Sequence, residues 1–578
     1  MTAHSAPPVT AIVGLGSVGE ALLRLLHTAG HRIVAVDTDL DVLARVGKRL
    51  KAVADGSGRP DVTFTEDFAP LHEAGLVIEA VPEDLAAKAG VLHTIVTACP
   101  PGTPVLTTTA SLSVARLAIS TGRPADIAGL RLFTPPLPGG PVEPVRTALT
   151  SPAVAAATDR LVESLGLTAV TVGARPAADA TALVLGLLNR AVMLCDEKYA
   201  THMAIDTAMR LGCAMPSGPL ETLDRIGLDT AHSALLALWR QTGDCAFEPA
   251  PLLSRMVAAG QLGHKTGEGF YTYDDTGAAL TGPATEEDDT LARPVHRVGV
   301  LGSGAMARGI AEVTAVGGHP TVLVARSTDK AAAAVEAIAE SLTRGVRRGK
   351  VSAVDKASAL ARVQGTDSMA ALAGCDLVIE AVAEERDVKR AMFTALGEVC
   401  APGTVLATTT SSLSVSTCAE ASGRPADVVG LHFFNPAPVM KLVELVSTRA
   451  ARPATIATAR AFCRGLGRTT VQCPDRTGFI VNSLLFPYLG AALALLERHD
   501  TDIEETDAAV RHGFGYPMGP FILLDTIGLD VSLAIQNRLY EQFQTPEYEP
   551  AAALAQFVAG GALGRKNRRG FRTAAAAS

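Results

Sequence analysis

The sequence lacks the features that mark several classes of protein. It has no uninterrupted run of about 18 apolar residues, which argues against a transmembrane helix. The segment from Met1 to Thr10 has neither a basic stretch nor a long apolar one, so no secretory signal is visible. The nine cysteines form no C-x-x-C pair, and we expect reduced thiols and no metal site. These absences together predict a cytoplasmic protein.

Positive charge is also not in excess. The formal net charge is −8, which argues against nucleic acid or an anionic membrane as the main partner. Hydrophobic residues make up 48% of the chain and charged residues 19%, as in folded globular proteins. A chain of 578 residues is long enough for about four domains.

The second half of the chain repeats the first half in a constant register. Gly227-Leu228-Asp229 recurs 301 residues later as Gly528-Leu529-Asp530, and Glu79 recurs as Glu380 at the same offset. We therefore infer a tandem duplication and call the halves the first copy and the second copy. The copies differ where polar chemistry is expected: Ala110 faces Ser411, Arg131 faces His432, and Thr181 faces Asn482.

Each copy begins with a pattern typical of a βαβ unit. In the first copy a strand at Ala11-Ile12-Val13 is followed by a glycine turn, a helix over about 18–29 and a strand at 33–36. The matching second-copy segments are a strand at 298–301, a helix over about 306–317 and a strand at 321–324. Strands this apolar belong to a parallel sheet that is buried on both faces.

Helical periodicity replaces the strand pattern after about Val172 and Val471. The predicted fold class is thus α/β plus all-α, with two copies of a Rossmann-type dinucleotide-binding domain followed by a helical domain. The predicted boundaries are 1–172 and 173–273 for the first copy, 274–296 for a linker rich in polar residues and turn formers, and 297–471 and 472–578 for the second copy.

The glycine motif of the first copy favours NAD. Gly14, Gly16 and Gly19 lie between a strand and a helix, where glycines permit a tight turn and close approach of a pyrophosphate to the helix N-terminus. Asp37 ends the second strand, where a carboxylate would accept hydrogen bonds from the adenosine ribose hydroxyls.

The second copy has a different cofactor pattern. Its motif is Gly302-x-Gly304-x-x-Ala307, and the position of Asp37 is taken by Ala325. Arg326 and Ser327 follow, and an arginine with a hydroxyl suits a 2′-phosphate. We therefore favour NADP in the second copy, while an exposed arginine beside an NAD site stays open.

Several motifs of the second copy give the chain its resemblance to a known family. The stretch from Gly430 to Glu444 contains His432-Phe433-Phe434-Asn435-Pro436 and then Pro438-Val439-Met440-Lys441. Thr410-Ser411-Ser412-Leu413 precedes it, and Gly478-Phe479-Ile480-Val481-Asn482 and Gly515-Tyr516-Pro517 follow. In this order they resemble the 3-hydroxyacyl-CoA dehydrogenase family over nearly all of the second copy; the first copy matches only in outline.

The resemblance implies roles for individual residues. It makes His432 the acid/base, Glu444 its partner, and Ser411 and Asn482 the groups that hydrogen-bond the substrate oxygens. It places a further set near the cofactor, namely Glu384, Lys389, Asn435 and Lys566. It also implies a helical arm that meets the phosphates of coenzyme A, where Ser341 and Arg348 fall.

The residue types support this chemistry independently. Oxidation of a 3-hydroxyl group needs a base near neutral pH, which suits histidine, and Glu444 lies beyond a proline-containing turn from which it could return to hold one ring nitrogen. Arg131 cannot act as that base because a guanidinium does not release its proton under ordinary conditions. We expect catalysis in the second copy alone.

The expected function is interconversion of 3-hydroxyacyl-CoA and 3-oxoacyl-CoA with NAD or NADP. Two alternatives stay open: the same chemistry on an acyl-carrier-protein thioester, and a non-enzymatic NAD-binding regulatory protein. We expect the first copy to be a scaffold that forms an intramolecular pseudo-dimer through the helical domains, and retained NAD binding in that copy is a second possibility.

Overall fold

Two sheets of equal strand number organise the molecule. The computed structural model describes residues 9–53, 62–110, 112–274, 276–280, 289–411, 413–498 and 502–572. Ser412 of the sequence motif and residues 281–288 of the predicted linker lie outside the described residues. Each copy forms an α/β layer first and a helical layer second, so the predicted fold class is confirmed.

The first copy contains ten strands and ten α-helices among the described residues. The strands are β1 (Val9–Val13), β2 (Arg32–Val36), β3 (Val62–Thr65), β4 (Ala74–Glu79), β5 (Val105–Thr107), β6 (Ile127–Arg131), β7 (Pro141–Val145), β8 (Thr168–Ala169), β9 (Thr272–Tyr273) and β10 (Ala279–Leu280). The helices are α1 (Ser17–Thr28), α2 (Leu40–Val53), α3 (Leu85–Ala98), α4 (Val114–Ser120), α5 (Pro152–Ser164), α6 (Ala174–Asp196), α7 (His202–Gly212), α8 (Pro219–Ile226), α9 (Leu228–Thr242) and α10 (Pro251–Ala258).

The second copy follows the same order. Its strands are β11 (Val298–Leu301), β12 (Thr321–Val324), β13 (Val363–Thr366), β14 (Leu377–Glu380), β15 (Val405–Thr408), β16 (Val428–Phe433), β17 (Leu442–Ser447) and β18 (Thr469–Pro474). Its helices are α11 (Ala305–Val316), α12 (Thr328–Arg347), α13 (Ala353–Arg362), α14 (Arg386–Val399), α15 (Val415–Ala421), α16 (Pro453–Gly465), α17 (Val481–Glu497), α18 (Ile503–Phe514), α19 (Pro520–Ile527), α20 (Leu529–Phe543) and α21 (Ala552–Ala559).

The strand order places both glycine motifs at the same point of each sheet. The orders are β3-β2-β1-β4-β5-β6-β7-β8 and β13-β12-β11-β14-β15-β16-β17-β18. The ladders are parallel except for β6 with β7 and β16 with β17. Strand order reverses direction at β1 and β11, and ligands bind doubly wound sheets outside the carboxyl ends of the strands at such a point.

The helical layers of the two copies pack against each other. Helix α6 of the first copy contacts α17 and α18 of the second. At this contact the Arg190 guanidinium donates to the Tyr548 hydroxyl at 2.7 Å and pairs with Glu547 at 2.8 Å. Part of α6, Ala177–Asp196, is long and apolar enough to cross a membrane by length and composition, although the sequence shows no uninterrupted apolar run there; 56% of the tested window is buried inside the protein. Burial among other helices accounts for its composition.

Two of the predicted domain boundaries fall in segments where the described residues have strands or hydrogen bonds. The boundary at 471 falls inside β18, which continues to Pro474. The predicted linker is ordered where it is described: β10 pairs with β9, and the amide of His296 donates to the Asp376 carboxylate of the second copy at 2.7 Å.

The start of the central helix distinguishes the copies. Helix α6 has 23 residues and begins at Ala174, whereas α17 has 17 residues and begins at Val481. At the 301-residue offset the first turns of α6 correspond to the non-helical segment 475–480. That segment has left-handed backbone at Gly478 (φ 84°) and Phe479 (φ 47°). The two copies thus enter their central helices by different routes.

Candidate active site

His432 and Glu444 form a buried pair on neighbouring strands. They are direct register partners in the antiparallel ladder of β16 and β17, so their side chains lie on the same face of the sheet. The Nδ1 atom of His432 lies 2.6 Å from Oε2 of Glu444. His432 is 7% exposed and Glu444 is fully buried. A carboxylate on Nδ1 favours the tautomer that leaves Nε2 free to accept a proton.

The second oxygen of Glu444 is anchored to the helical layer. Oε1 accepts hydrogen bonds from the backbone amides of Ile480 and Val481, both at 2.9 Å. These amides lie at the N-terminus of α17, where donors are unpaired within the helix and a negative charge is favoured. Glu444 therefore joins the sheet, the imidazole and the helix start, and its burial is compensated by hydrogen bonds at both oxygens.

Two aromatic rings pack against the imidazole of His432. The ring centroids of Phe434 and Phe479 lie 4.6 Å and 5.5 Å from that of His432. Sequence reasoning did not single out either ring for this role. The signal was their position beside the histidine in one motif and beside the helix start in the other.

Asn482 and Ser411 come together from separate parts of the chain. The Asn482 side-chain amide donates to the backbone carbonyl of Ser411 at 3.4 Å. The backbone amide of Ser411 donates to Oε1 of Glu384 at 2.9 Å. Asn482 is the second residue of α17 and Ser411 follows β15, so the helix start and the sheet edge meet at this point.

Glu384 and Lys389 belong to a charge cluster that also includes Glu380, and Lys389 and Glu380 are its buried members. The Lys389 ammonium lies 2.8 Å from a Glu380 oxygen and 3.2 Å from Glu384, and Lys389 is 1% exposed. Burial acts to raise the pKa of Glu384, but Lys389 and hydrogen bonds from Thr410 and Ser411 outweigh it and hold that pKa below its ordinary value. Glu384 thus stays ionised and holds Ser411.

The sequence contained a signal for this cluster. Glu79 and Lys88 of the first copy recur at the same offset as Glu380 and Lys389, and the first-copy pair also forms a buried ion pair, at 2.9 Å. From the sequence, Glu380 was used only as evidence for the repeat, and no charge cluster around it was predicted.

The second-copy glycine motif leaves open space where a nucleotide would approach. Gly302 has φ of 133°, and a side chain there would also clash with the carbonyl oxygen of Ala381. A side chain at Gly304 would meet nothing within 4 Å. The protein fold therefore does not require glycine at position 304. The space above the N-terminus of α11 fits a pyrophosphate bound at a helix start.

The remaining cofactor candidates differ in exposure and in their contacts. Ala325 is buried, Arg326 is exposed, and the Ser327 hydroxyl accepts a hydrogen bond from the Lys330 amide at 3.3 Å, which caps α12. Asn435 is exposed. Lys566 pairs with both oxygens of the Asp530 carboxylate, at 2.7 and 2.8 Å.

The two residues assigned to coenzyme A lie on α12 and at its end. The Ser341 hydroxyl forms a hydrogen bond with Glu312 of α11, which partly offsets the burial that raises the pKa of that carboxyl. Arg348 is exposed at the C-terminal cap of α12. Neither residue is held in the cluster around His432.

The first copy keeps a carboxylate at the position of Glu444, namely Glu143, and has Arg131 at the position of His432. Arg131 and Glu143 are register partners in the ladder of β6 and β7 and form a buried ion pair. The other Glu143 oxygen accepts from the amides of Val172 at 3.0 Å and Gly173 at 2.8 Å, immediately before α6. A guanidinium thus occupies the place of the imidazole.

The cofactor side of the first copy resembles that of the second. The Leu15 amide donates to Asp37 at 2.7 Å, which holds the carboxylate at the end of β2. Side chains at Gly14 and Gly19 would clash with backbone, whereas one at Gly16 would meet nothing within 4 Å. The space over the start of α1 is therefore also open.

Comparison with known proteins matches both halves to the same two family models. The NAD-binding domain of the 3-hydroxyacyl-CoA dehydrogenases matches residues 9–175 and 297–476, and the C-terminal domain of that family matches 180–273 and 478–574. A 3-hydroxybutyryl-CoA dehydrogenase of Mycobacterium tuberculosis is 41% identical over 281 residues, which cover 48% of this chain and 98% of the relative. The mitochondrial hydroxyacyl-coenzyme A dehydrogenase of Sus scrofa is 41% identical over 285 residues, covering 48% of this chain and 90% of the relative.

One solved structure extends over both copies. A 3-hydroxybutyryl-CoA dehydrogenase from Escherichia coli K12 covers 96% of this chain and 100% of its own, with 20% identity and a TM-score of 0.52. At that identity the likeness concerns the fold alone. Together with the four domain matches, these findings establish that the chain belongs to the 3-hydroxyacyl-CoA dehydrogenase family of NAD-binding oxidoreductases and carries both domains of that family twice.

Proposed function

We propose that the second copy is the single active site and that it interconverts 3-hydroxyacyl-CoA and 3-oxoacyl-CoA thioesters. The observation that carries this proposal is the buried contact between His432 and Glu444, with Glu444 held by two amides at the start of α17. Asn482 and Ser411 border the same helix start. The names of the relatives agree with this reaction.

The proposed reaction follows from this arrangement. In the oxidative direction Nε2 of His432 takes the proton of the 3-hydroxyl group, and Glu444 stabilises the imidazolium that forms. Asn482 and the Ser411 hydroxyl donate to the substrate oxygens and hold C3 in place. The nicotinamide cofactor, when bound, would supply the acceptor for the hydride that leaves C3. In the reductive direction the imidazolium returns the proton to the carbonyl oxygen.

At the position of His432 the first copy carries a residue that cannot take a proton. Its Arg131 stays positively charged next to Glu143 and cannot accept a proton. Thr181, at the Asn482 position, donates its hydroxyl to the Ala177 carbonyl inside α6 at 2.7 Å. We infer that this copy is a scaffold. The contacts of α6 with α17 and α18 support an intramolecular pseudo-dimer built from the helical layers.

Use of NAD(H) is the family property, and we propose NADP(H) as the preference of the second copy. Ala325 removes the carboxylate that would repel a 2′-phosphate, and the exposed Arg326 guanidinium can pair with that phosphate. The Ser327 hydroxyl accepts from Lys330 and keeps its own proton for donation. Replacing Arg326 with alanine is expected to lower the NADPH/NADH ratio of kcat/KM about tenfold.

Coenzyme A is the thioester carrier that we propose. Arg344 and Arg347 lie in the last turn of α12 and Arg348 caps it, so one exposed helix end carries three arginines. Paired arginines suit phosphates. Arg348→Gln should raise KM for an acyl-CoA and leave KM for the cofactor unchanged; an unchanged acyl-CoA KM, with turnover of the matching carrier-protein thioester, would favour the alternative carrier.

The first experiment is a turnover assay of the whole protein. Acetoacetyl-CoA is reduced with NADH or NADPH, and loss of the reduced nicotinamide absorbance is followed. Turnover with a preference for NADPH supports the reaction and the NADP assignment, and turnover with a preference for NADH retains the reaction and removes the NADP assignment. Cofactor binding without turnover of any thioester would favour the non-enzymatic regulatory role. A cytoplasmic location and the domain boundaries inferred from sequence stay predictions.

A further inference from the structure

The turn at residues 474–480 holds the partners of Glu444 in place. It connects the end of β18 to the start of α17, carries the Ile480 amide that binds Glu444, and immediately precedes Val481 and Asn482. Phe479 has a left-handed backbone, with φ of 47°. A bulky residue is uncommon in that region, so contacts with surrounding groups must keep this turn in shape.

Side chains of the first copy contact this turn. The Tyr199 hydroxyl donates to the Pro474 carbonyl at 3.1 Å, and the Arg476 guanidinium pairs with Glu197 at 2.6 Å. The same guanidinium lies 5.1 Å from the ring centroid of Tyr199 and 5.0 Å from that of Phe543. Burial raises the pKa of Tyr199 far above its ordinary value, so the hydroxyl keeps the proton that it donates. We call these contacts of Glu197, Tyr199 and Arg476 the latch.

The first copy also packs against residues that surround the His432–Glu444 pair. A side chain at Gly212, the last residue of α7, would lie 3.0 Å from Leu442, 3.1 Å from Val481 and 3.6 Å from Phe434. The strand of Glu444, the start of α17 and the ring beside His432 therefore all rest on the same helix end. Helix α7, which Gly212 ends, also contacts β17, β18 and α17.

The latch is not repeated in the opposite direction. At the 301-residue offset Arg498 corresponds to Glu197, and Arg175 corresponds to Arg476. Two cations replace the ion pair, and the first-copy counterpart of the turn is the beginning of α6. The residue that corresponds to Tyr199 is Asp500, which has no aromatic ring and lies outside the described residues. The asymmetry is what one expects when one copy supports the chemistry of the other.

We propose that Glu197 and Tyr199 are positioning residues for the reaction of the second copy, acting through Arg476 and the 474–480 turn. This inference rests on the proposed function, because the turn matters only if Glu444 and Asn482 serve a reaction there. Glu197 is 43% exposed and Arg476 24%, so the ion pair contributes little to folding. Its effect lies in placement, and misplacement by about 1 Å can lower a rate about a hundredfold.

The test compares variants of the latch in the full chain. The double variant Glu197→Gln, Tyr199→Phe removes the ion pair and the hydrogen bond from Tyr199 to Pro474, and the single variant Arg476→Met removes the ion pair and the cation over Tyr199. Arg476→Lys keeps a cation over Tyr199. Arg175→Met is the matched control in the first copy. The measurements are kcat, KM for acetoacetyl-CoA, and the Kd of the reduced cofactor from its fluorescence.

We expect kcat to fall about ten- to a hundredfold in the double variant and in Arg476→Met. Arg476→Lys should recover most of the loss, and Arg175→Met should match the native protein. Cofactor Kd should stay within about twofold throughout, since the glycine motif follows β11 inside the sheet whereas the turn follows β18 at its edge.

Native kcat in all latch variants would overturn the inference, and so would a parallel loss of kcat and cofactor binding, which indicates general destabilisation. Both outcomes leave the proposed function standing if His432→Gln is inactive in the same assay. Native turnover by His432→Gln would overturn the proposed function and this inference together.

Discussion

Replacing Glu444 with glutamine removes its charge and preserves its shape, which makes it a sharp test of the dyad. In the native protein one carboxylate oxygen accepts from the amides of Ile480 and Val481 and the other faces Nδ1 of His432. Only the amide oxygen of glutamine can satisfy two N–H donors, so its NH2 group must face Nδ1. The imidazole then carries its proton on Nε2, the atom that has to accept the substrate proton.

The expected loss is large. At the orienting acid of a Ser-His-Asp triad, a carboxylate-to-amide change that reverses the tautomer costs about 10⁴ in kcat. The geometry at Glu444 is of the same kind, and we expect a loss on the order of 10³- to 10⁴-fold, or about 4 to 5.5 kcal/mol. The assay is the initial rate of acetoacetyl-CoA reduction at saturating substrate. A Glu444→Gln protein with kcat within tenfold of native would refute the reasoning.

The first copy offers a matched control. Glu143→Gln makes the same change beside Arg131, where we infer no reaction. The kcat of folded protein should be native, while Arg131 loses its buried anionic partner, which costs about 3–5 kcal/mol of stability. Thermal unfolding measured beside kcat separates the two effects.

Three further predictions follow from individual contacts. Asn482→Ala should lower kcat/KM for acetoacetyl-CoA about ten- to a hundredfold with unchanged cofactor Kd, and Thr181→Ala, its first-copy match, should not; equal effects would contradict a single site. Gly304→Ala should raise the cofactor KM at nearly native melting temperature, because its methyl group enters only the open space at α11; an unchanged KM would show that no ligand approaches there. Burial, together with the charge of Arg225, lowers the pKa of His264 to about 4. Neutral His264 therefore contributes stability that is present above pH 6.5 and is lost as the pH falls toward 4. The loss in the free energy of unfolding amounts to about 2 kcal/mol by pH 5. His264→Gln should accordingly flatten that part of the melting-temperature profile between pH 7.5 and pH 5.

Much of the α/β layer could be predicted from the sequence because parallel strands leave continuous apolar runs. The predicted strands at 298–301 and 321–324 coincide with β11 and β12. Strand β18 was missed because it lies at the sheet edge and alternates exposed and buried residues, and Thr469–Pro474 was therefore divided by the predicted boundary.

The site was predictable in part. The spacing of His432 and Glu444 with a turn between them indicates that the chain returns, but the amides on Glu444 come from Ile480 and Val481, and no local pattern reports a contact of that sequence separation. The longer α6 had a local cause that is visible afterwards: Ala177 stands where the second copy has Gly478, so the first copy lacks the residue that breaks the helix.

The contacts between the copies could not be predicted. Glu197 reaches Arg476 only because two helical layers pack face to face, and the sequence shows which helix faces are apolar but not how they are oriented against each other.

The measurement that tests the central claim most directly is the turnover of the His432→Gln protein beside the native protein and Arg131→Gln. The account places one active site in the second copy. It predicts that His432→Gln retains less than about a thousandth of the native rate of acetoacetyl-CoA reduction, while Arg131→Gln retains the native rate per folded molecule. A His432→Gln protein that keeps about half of the native rate, or an Arg131→Gln protein that loses half, would place chemistry in the first copy and contradict the account.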